Sequence, residues 1–152
     1  RFPYSQGRLT EEDIKIIDKY IDFFELRGLE DRYLDELSGG QRQRAYVAMV
    51  LAQETKYVLL DEPLNNLDVA RSISMMKHLR KACDALNKTF VLVIHDINIA
   101  AQYSDRIFAM KNGKLVCEGS VDEVMDGKRL SKIFDTSINI INGPYGKIAA
   151  YN

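Results

Sequence analysis

Two adjacent carboxylates, Asp61 and Glu62, close a short apolar run, Tyr57-Val58-Leu59-Leu60. At the C-terminal end of a buried parallel strand, such a pair points into the crevice where α/β sheets bind ligands. One acid can then hold Mg²⁺, which takes hard oxygen ligands and keeps several waters. The other can orient and deprotonate an attacking water. The same pair could equally be strand-end acids capping the next turn. His95 ends a second apolar run, Phe90 to Ile94, and so belongs to the same rim, where an imidazole can touch a terminal phosphate or steady the attacking water. A solitary strand-end histidine reads as a satisfied loop residue; one sharing a rim with two acids reads as part of a site. The third group is Ser38-Gly39-Gly40-Gln41. A serine N-cap followed by two glycines opens a helix with bare backbone N–H groups, an anion site helped by the helix dipole. Two glycines in that turn cost about 1 kcal/mol each relative to alanine. A plain N-cap gives no reason to accept this cost, whereas close approach to a phosphate does.

These groups need elements to hold them. Thr10 with Glu11, Glu12 and Asp13 reads as a helix N-cap and an acidic first turn, followed by Ile14, Ile17, Ile21 and Phe24 at helical spacing. Gly28 is expected to stop that helix, and a charged connector, Glu30 to Glu36, leads to the Ser38 turn. Ala45, Ala48, Met49 and Ala52 mark the helix beyond it. The runs ending at Asp61 and at Ile94 are predicted as strands buried on both faces, as in a parallel sheet. Between them Asp68 caps a long helix carrying Val69, Ile73, Met76, Leu79, Cys83 and Leu86 on one side. Strand, helix, strand makes a right-handed crossover the default. A short helix over Ile97 to Tyr103 follows. Asn112-Gly113 is a hairpin signal between Arg106–Met110 and Lys114–Cys117. Ser120 with Glu123 is a capping box, and a terminal hairpin surrounds Asn142-Gly143-Pro144. Met75 and Met76 read as helix packing, His78 as a solvated helix residue, and Lys128, Arg129 and Lys132 as a small solvated basic face.

Composition narrows the class. The 152 residues carry 21 Lys+Arg against 22 Asp+Glu, a net charge of −1, with 46% apolar and 28% charged residues. That is one ordinary globular domain. It is neither a disordered acidic tail nor a collagen-like chain, and it lacks the basic excess of a general nucleic-acid binder. The longest apolar stretch, Ala45 to Ala52, falls far short of the roughly 20 residues of a spanning helix. No secretory signal is expected at the start. Cys83 and Cys117, in unlike contexts, read as reduced, partly buried thiols rather than a metal or disulfide framework. The opening Arg1-Phe2-Pro3, without Met, reads as a cut from something longer.

Together the motifs carry a family resemblance. Leu37-Ser38-Gly39-Gly40-Gln41 resembles the signature motif of ATP-binding cassette (ABC) ATPases. Val58-Leu59-Leu60-Asp61-Glu62-Pro63 resembles their Walker B strand with its catalytic glutamate, Asn66-Leu67-Asp68 the D-loop, and His95 the H-loop histidine. Four motifs in the family's order and spacing make the combination specific. His95-Asp96-Ile97-Asn98, with Ala100 to Arg106, Gly119-Ser120 and Asp122-Glu123-Val124, is similar to the importer branch for iron–siderophore, haem and cobalamin uptake. Arg1-Phe2-Pro3-Tyr4 resembles the segment after that branch's Q-loop, which approaches the membrane permease. Leu64-Asn65-Asn66-Leu67-Asp68 resembles Gram-positive iron-chelate importers.

The resemblance implies an α/β P-loop NTPase (RecA-like) ABC ATPase core, C-terminal half. Residues 1–40 would be the end of the helical subdomain, and 41–152 the second half of the catalytic core. It implies ATP and Mg²⁺, with Asp61 on the metal, Glu62 as general base, and His95 at the γ-phosphate in cis. Ser38, Gly39, Gly40 and Gln41 would form the signature loop facing the γ-phosphate in trans, and Asp68 would work across the dimer interface. The implied partners are a second ATPase subunit, head to tail, permease subunits, and indirectly a substrate-binding protein, at the cytoplasmic face of the membrane and without nucleic acid. No Gly-x-x-x-x-Gly-Lys-Ser/Thr occurs in the sequence. The chain therefore corresponds to the part of such an ATPase that follows its Walker A loop, and alone it is expected to be inactive. The alternatives are a non-transport ABC ATPase, of DNA repair or translation, and a non-catalytic ABC-like binding module.

Overall fold

The computed structural model describes residues 8–151; the resemblance read on Arg1 to Tyr4 lies outside them. By contacts the chain divides into two units, between Val93 and Ile94.

The first unit opens with α1 (Glu11–Phe23). Its start is the expected one: the Thr10 hydroxyl accepts from the Asp13 amide at 3.2 Å, while the Asp13 carboxylate accepts from the Thr10 amide at 3.0 Å and its hydroxyl at 2.7 Å. These bonds let Asp13 be buried, and the buried stripe runs through Asp13, Tyr20 and Phe24 while Ile14 is exposed. The stop differs from expectation. Glu25, at φ 54°, ends the helix, and Gly28, at φ 82°, lies in the turn beyond it. The Leu26 amide donates back to the Ile21 carbonyl at 2.9 Å and the Glu25 amide to that of Asp22 at 3.1 Å. This pattern satisfies the last carbonyls of the helix, with buried Leu26 supplying the apolar contact.

A 3-10 turn, Leu34–Glu36, precedes α2 (Gly39–Leu51), which buries Val47, Ala48 and Leu51. The Tyr20 hydroxyl donates to Glu54 at 2.5 Å, joining α1 to the chain just past α2. Then come β1 (Tyr57–Asp61), α3 (Val69–Leu86) and β2 (Thr89–Val93). The two strands pair in parallel, with Tyr57 opposite Thr89 and Asp61 opposite Val93. Burial on both faces is not observed. Val58 is buried, but Leu59 on the other face is 72% exposed, as are its neighbours Val91 at 52% and Val93 at 50%. An apolar run records what a strand could bury, not what covers it in this chain. On α3 the buried stripe is Ser72, Met75, Met76, Leu79 and Ala82, so Val69 lies outside it. His78 is no solvated residue either: it stacks on the Phe24 ring at 6.0 Å, and its Nδ1 lies 2.8 Å from the Ser74 carbonyl oxygen.

The second unit holds α4 (Ile97–Tyr103), β3 (Arg106–Lys111), β4 (Lys114–Ser120), α5 (Val121–Val124), α6 (Gly127–Phe134), β5 (Ile138–Gly143) and β6 (Gly146–Tyr151). Both expected hairpins form, β3 with β4 and β5 with β6. Its core is Ile97, Ile107, Val124, Met125, Leu130, Ile138 and Ala149. Ser120 and Glu123 make the expected capping box. A Cβ at Gly119 would lie 2.7 Å from the Glu123 carboxylate, which explains the glycine before the cap. Cys83 and Cys117 are half-buried thiols, the first donating to the Lys88 carbonyl at 3.2 Å.

Candidate functional site

Helix α2 starts at the predicted place. The Ser38 hydroxyl accepts from the Gln41 amide at 3.3 Å, and the Gln41 side-chain oxygen accepts from the Ser38 amide at 2.9 Å. Gly39 and Gly40 lie between these partners. A Cβ at Gly39 would meet nothing within 4 Å, and one at Gly40 only the Arg71 side chain at 3.6 Å, an ordinary contact. Neither glycine sits at positive φ. Nothing among the described residues therefore requires glycine at either position, although each weakens the helix. What the pair provides is unobstructed access to the first-turn N–H groups, the donors that bind anions.

Asp61 and Glu62 stand at the end of β1. The Glu62 amide donates to the Val93 carbonyl at 3.2 Å, extending the ladder by one bond. Glu62 then turns the chain at φ 48°. For a residue with a long side chain this is a strained conformation, of the kind that clusters at functional sites. Its carboxylate accepts from the Asn65 amide side chain at 3.1 Å, which holds one of its oxygens. The next residue is held as well: Gln43 on α2 donates to the Pro63 carbonyl at 2.7 Å, tying the glycine-led helix to the turn that carries Glu62. Sequence reasoning missed both Asn65 and Gln43. Nothing in residue type or spacing separates these carboxamides from other surface ones; only the turn geometry does.

Asp68 N-caps α3, accepting from the Arg71 amide at 2.8 Å, with the Arg71 guanidinium 3.3 Å from its other oxygen. Arg71 thus touches both Asp68 and the open face at Gly40. The exposed carboxylate of Asp61 offers hard oxygen donors. No group of three or more metal-ligating side chains gathers among the described residues. A cation at Asp61 would thus have at most one further described His, Cys, Asp or Glu beside it, with water and ligand oxygens completing its shell. That suits Mg²⁺, which is seldom caged by protein alone. His95 is exposed, two residues beyond the end of β2 and at the start of the second unit. The structure brings Asp61, Glu62, Asp68 and the Ser38–Gln41 turn into the first unit and places His95 in the second.

The comparisons with known proteins agree with these elements. A family model described as "ABC transporter" matches residues 5–65. The chain is 68% identical over 151 residues to the petrobactin import ATP-binding protein FatE of Bacillus anthracis, and 51% identical over 151 residues to YclP, a petrobactin import ATP-binding protein of Bacillus subtilis. In each case 99% of this chain is covered, and the chain spans about 60% of the length of these curated relatives. Among solved structures, an inward-facing metal-chelate type ABC transporter matches 96% of this chain and 60% of its own, with a TM-score of 0.85 at 22% identity.

Proposed function

We propose that the chain belongs to the ABC transporter ATPases and forms the signature, Walker B and H-loop part of an ATP-hydrolysing importer subunit. The observation that carries this reading is the pair of glycines that open α2, which no contact among the described residues requires. In this reading the α2 N-terminus, with Ser38, Gly39, Gly40 and Gln41, receives the γ-phosphate of ATP held by a second, head-to-tail ATPase subunit. Phosphoryl transfer is catalysed mostly by positioning and charge stabilisation. A site divided between two subunits then fires only on closure, which couples hydrolysis to transport.

Within one subunit Glu62 is the general base. Its carboxylate, steadied by Asn65, takes the proton of the attacking water. Asp61 holds Mg²⁺, which when bound neutralises developing phosphate charge. His95 reaches the γ-phosphate in cis, and Asp68 carries contacts across the dimer interface through the loop it caps. Residues 1–40 close the helical subdomain, and 41–152 form the second half of the catalytic core. The phosphate-binding loop is supplied by sequence beyond these 152 residues. The cargo is an iron–siderophore complex, petrobactin being the one named for FatE and YclP. The remaining partners are permease subunits and a substrate-binding protein, and the subunit works at the cytoplasmic face of the membrane.

The test is ATP-dependent dimerisation of the full-length protein that carries this stretch, measured by light scattering in a hydrolysis-deficient background. With Ser38 intact, ATP converts monomer to dimer. Ser38→Arg puts a long side chain where the phosphate must sit, and the protein stays monomeric at saturating ATP. Normal dimerisation of the Ser38→Arg protein would refute the trans role of α2.

A further inference from the structure

The run His95-Asp96-Ile97-Asn98 does more than present a histidine. Asp96 N-caps α4, its Oδ1 accepting from the Asn98 amide at 2.8 Å and the Ile99 amide at 3.1 Å. Ile97 is buried in the core of the second unit. The Asn98 side chain then makes two bonds to one residue 51 positions away. Its Nδ2 donates to the Ala149 carbonyl at 3.1 Å, and its Oδ1 accepts from the Ala149 amide at 2.7 Å. The carboxamide thus substitutes for a neighbouring strand on β6. Ala149 is itself buried. Close by, burial and then the charge of Asp96 raise the pKa of the Tyr151 hydroxyl on the same strand. The far side of the hairpin is anchored separately: Ile138 donates to the Ser131 hydroxyl at 2.9 Å, and Lys147 to the Asp122 carbonyl at 3.0 Å. The β5–β6 hairpin is therefore a braced platform, and Asn98 fastens the chain just after His95 to it.

We propose that Asn98 is a positioning residue for His95, and that through Ala149 the C-terminal hairpin holds the histidine loop in register. The proposal rests on the reading of His95 as the residue that reaches the γ-phosphate. A cap fixes only the direction in which α4 begins. The two-bond clamp also fixes where that beginning lies, leaving His95 with little freedom three residues upstream.

The experiment is a double-mutant cycle in the full-length ATPase, with single-turnover hydrolysis as the rate and amide hydrogen exchange as a second readout. Asn98→Ala should speed exchange at Ala149 and cut kcat at least about tenfold, with KM for ATP changed by less than about twofold. Asn98→Asp keeps the acceptor for the Ala149 amide and should recover part of the rate; it replaces Asn98→Ala in the cycle if the alanine protein does not fold. His95→Gln should also slow turnover, and the double variant should be no slower than His95→Gln alone, because residues acting as one unit are not additive. If the two effects multiply instead, Asn98 acts only on stability and the proposal is overturned. Unchanged kcat in Asn98→Ala overturns it as well. Unchanged turnover in His95→Gln would remove the reading of His95 itself, and the proposal with it, which is a different outcome from multiplication.

Discussion

Gly39 and Gly40 are glycines that the described part of the fold does not require. Alanine fits both positions in space and in backbone conformation. Gly39→Ala is therefore expected to stabilise the protein by about 0.4–1 kcal/mol, by reducing the freedom of the unfolded chain, a rise of roughly 1–4 °C in melting temperature. The same variant should lower ATP turnover, since a methyl group enters the space kept clear at the first-turn amides. Loss of stability with normal turnover would reverse the interpretation. Glu62 differs in kind, because its conformation is strained at φ 48° and held from two directions, by Asn65 on the carboxylate and by Gln43 on the following carbonyl. Residue type and spacing single out Asp61, Glu62 and Ser38–Gln41 as candidates for chemistry. They could not mark Asn65 or Gln43, whose importance lies in where a turn delivers them.

At the scale of elements, four helix starts and the end of α4 were legible, whereas the end of α1 was not. An N-cap is a local device: Thr10, Ser38, Asp68 and Ser120 each accept from an amide three residues on, as their sequences suggest. A C-terminus depends on which residue tolerates the left-handed region, and in α1 tertiary packing of Leu26 places Glu25 there ahead of Gly28. The Ser120–Glu123 box also gives a pH prediction. Bonds from the Ser120 amide, then its hydroxyl, hold the Glu123 carboxyl below its ordinary value of 4.5. A group whose folded pKa is depressed contributes stability above its unfolded pKa and loses it as pH falls through the folded value. The wild-type melting temperature should therefore drop as pH falls below about 4.5, and Glu123→Gln should flatten that drop while costing little at pH 7. An unchanged acid profile in the variant would assign the acid sensitivity to other carboxylates.

At the scale of the whole chain, the fold class was legible because strand, helix and parallel strand follow one another with clear punctuation. The extent of burial was not. Leu59, Val91 and Val93 read as buried on composition, yet are half or more exposed on β1 and β2. These 152 residues span about 60% of the length of their relatives, and hydrolysis is proposed for a longer protein working as a dimer. In that protein Glu62 is proposed to remove the proton from the attacking water. The most direct measurement is steady-state hydrolysis and nucleotide occupancy of the full-length Glu62→Gln protein. ATP should still bind, a closed dimer should accumulate, and turnover should fall at least about 100-fold. Hydrolysis at the wild-type rate would contradict the general-base role of Glu62.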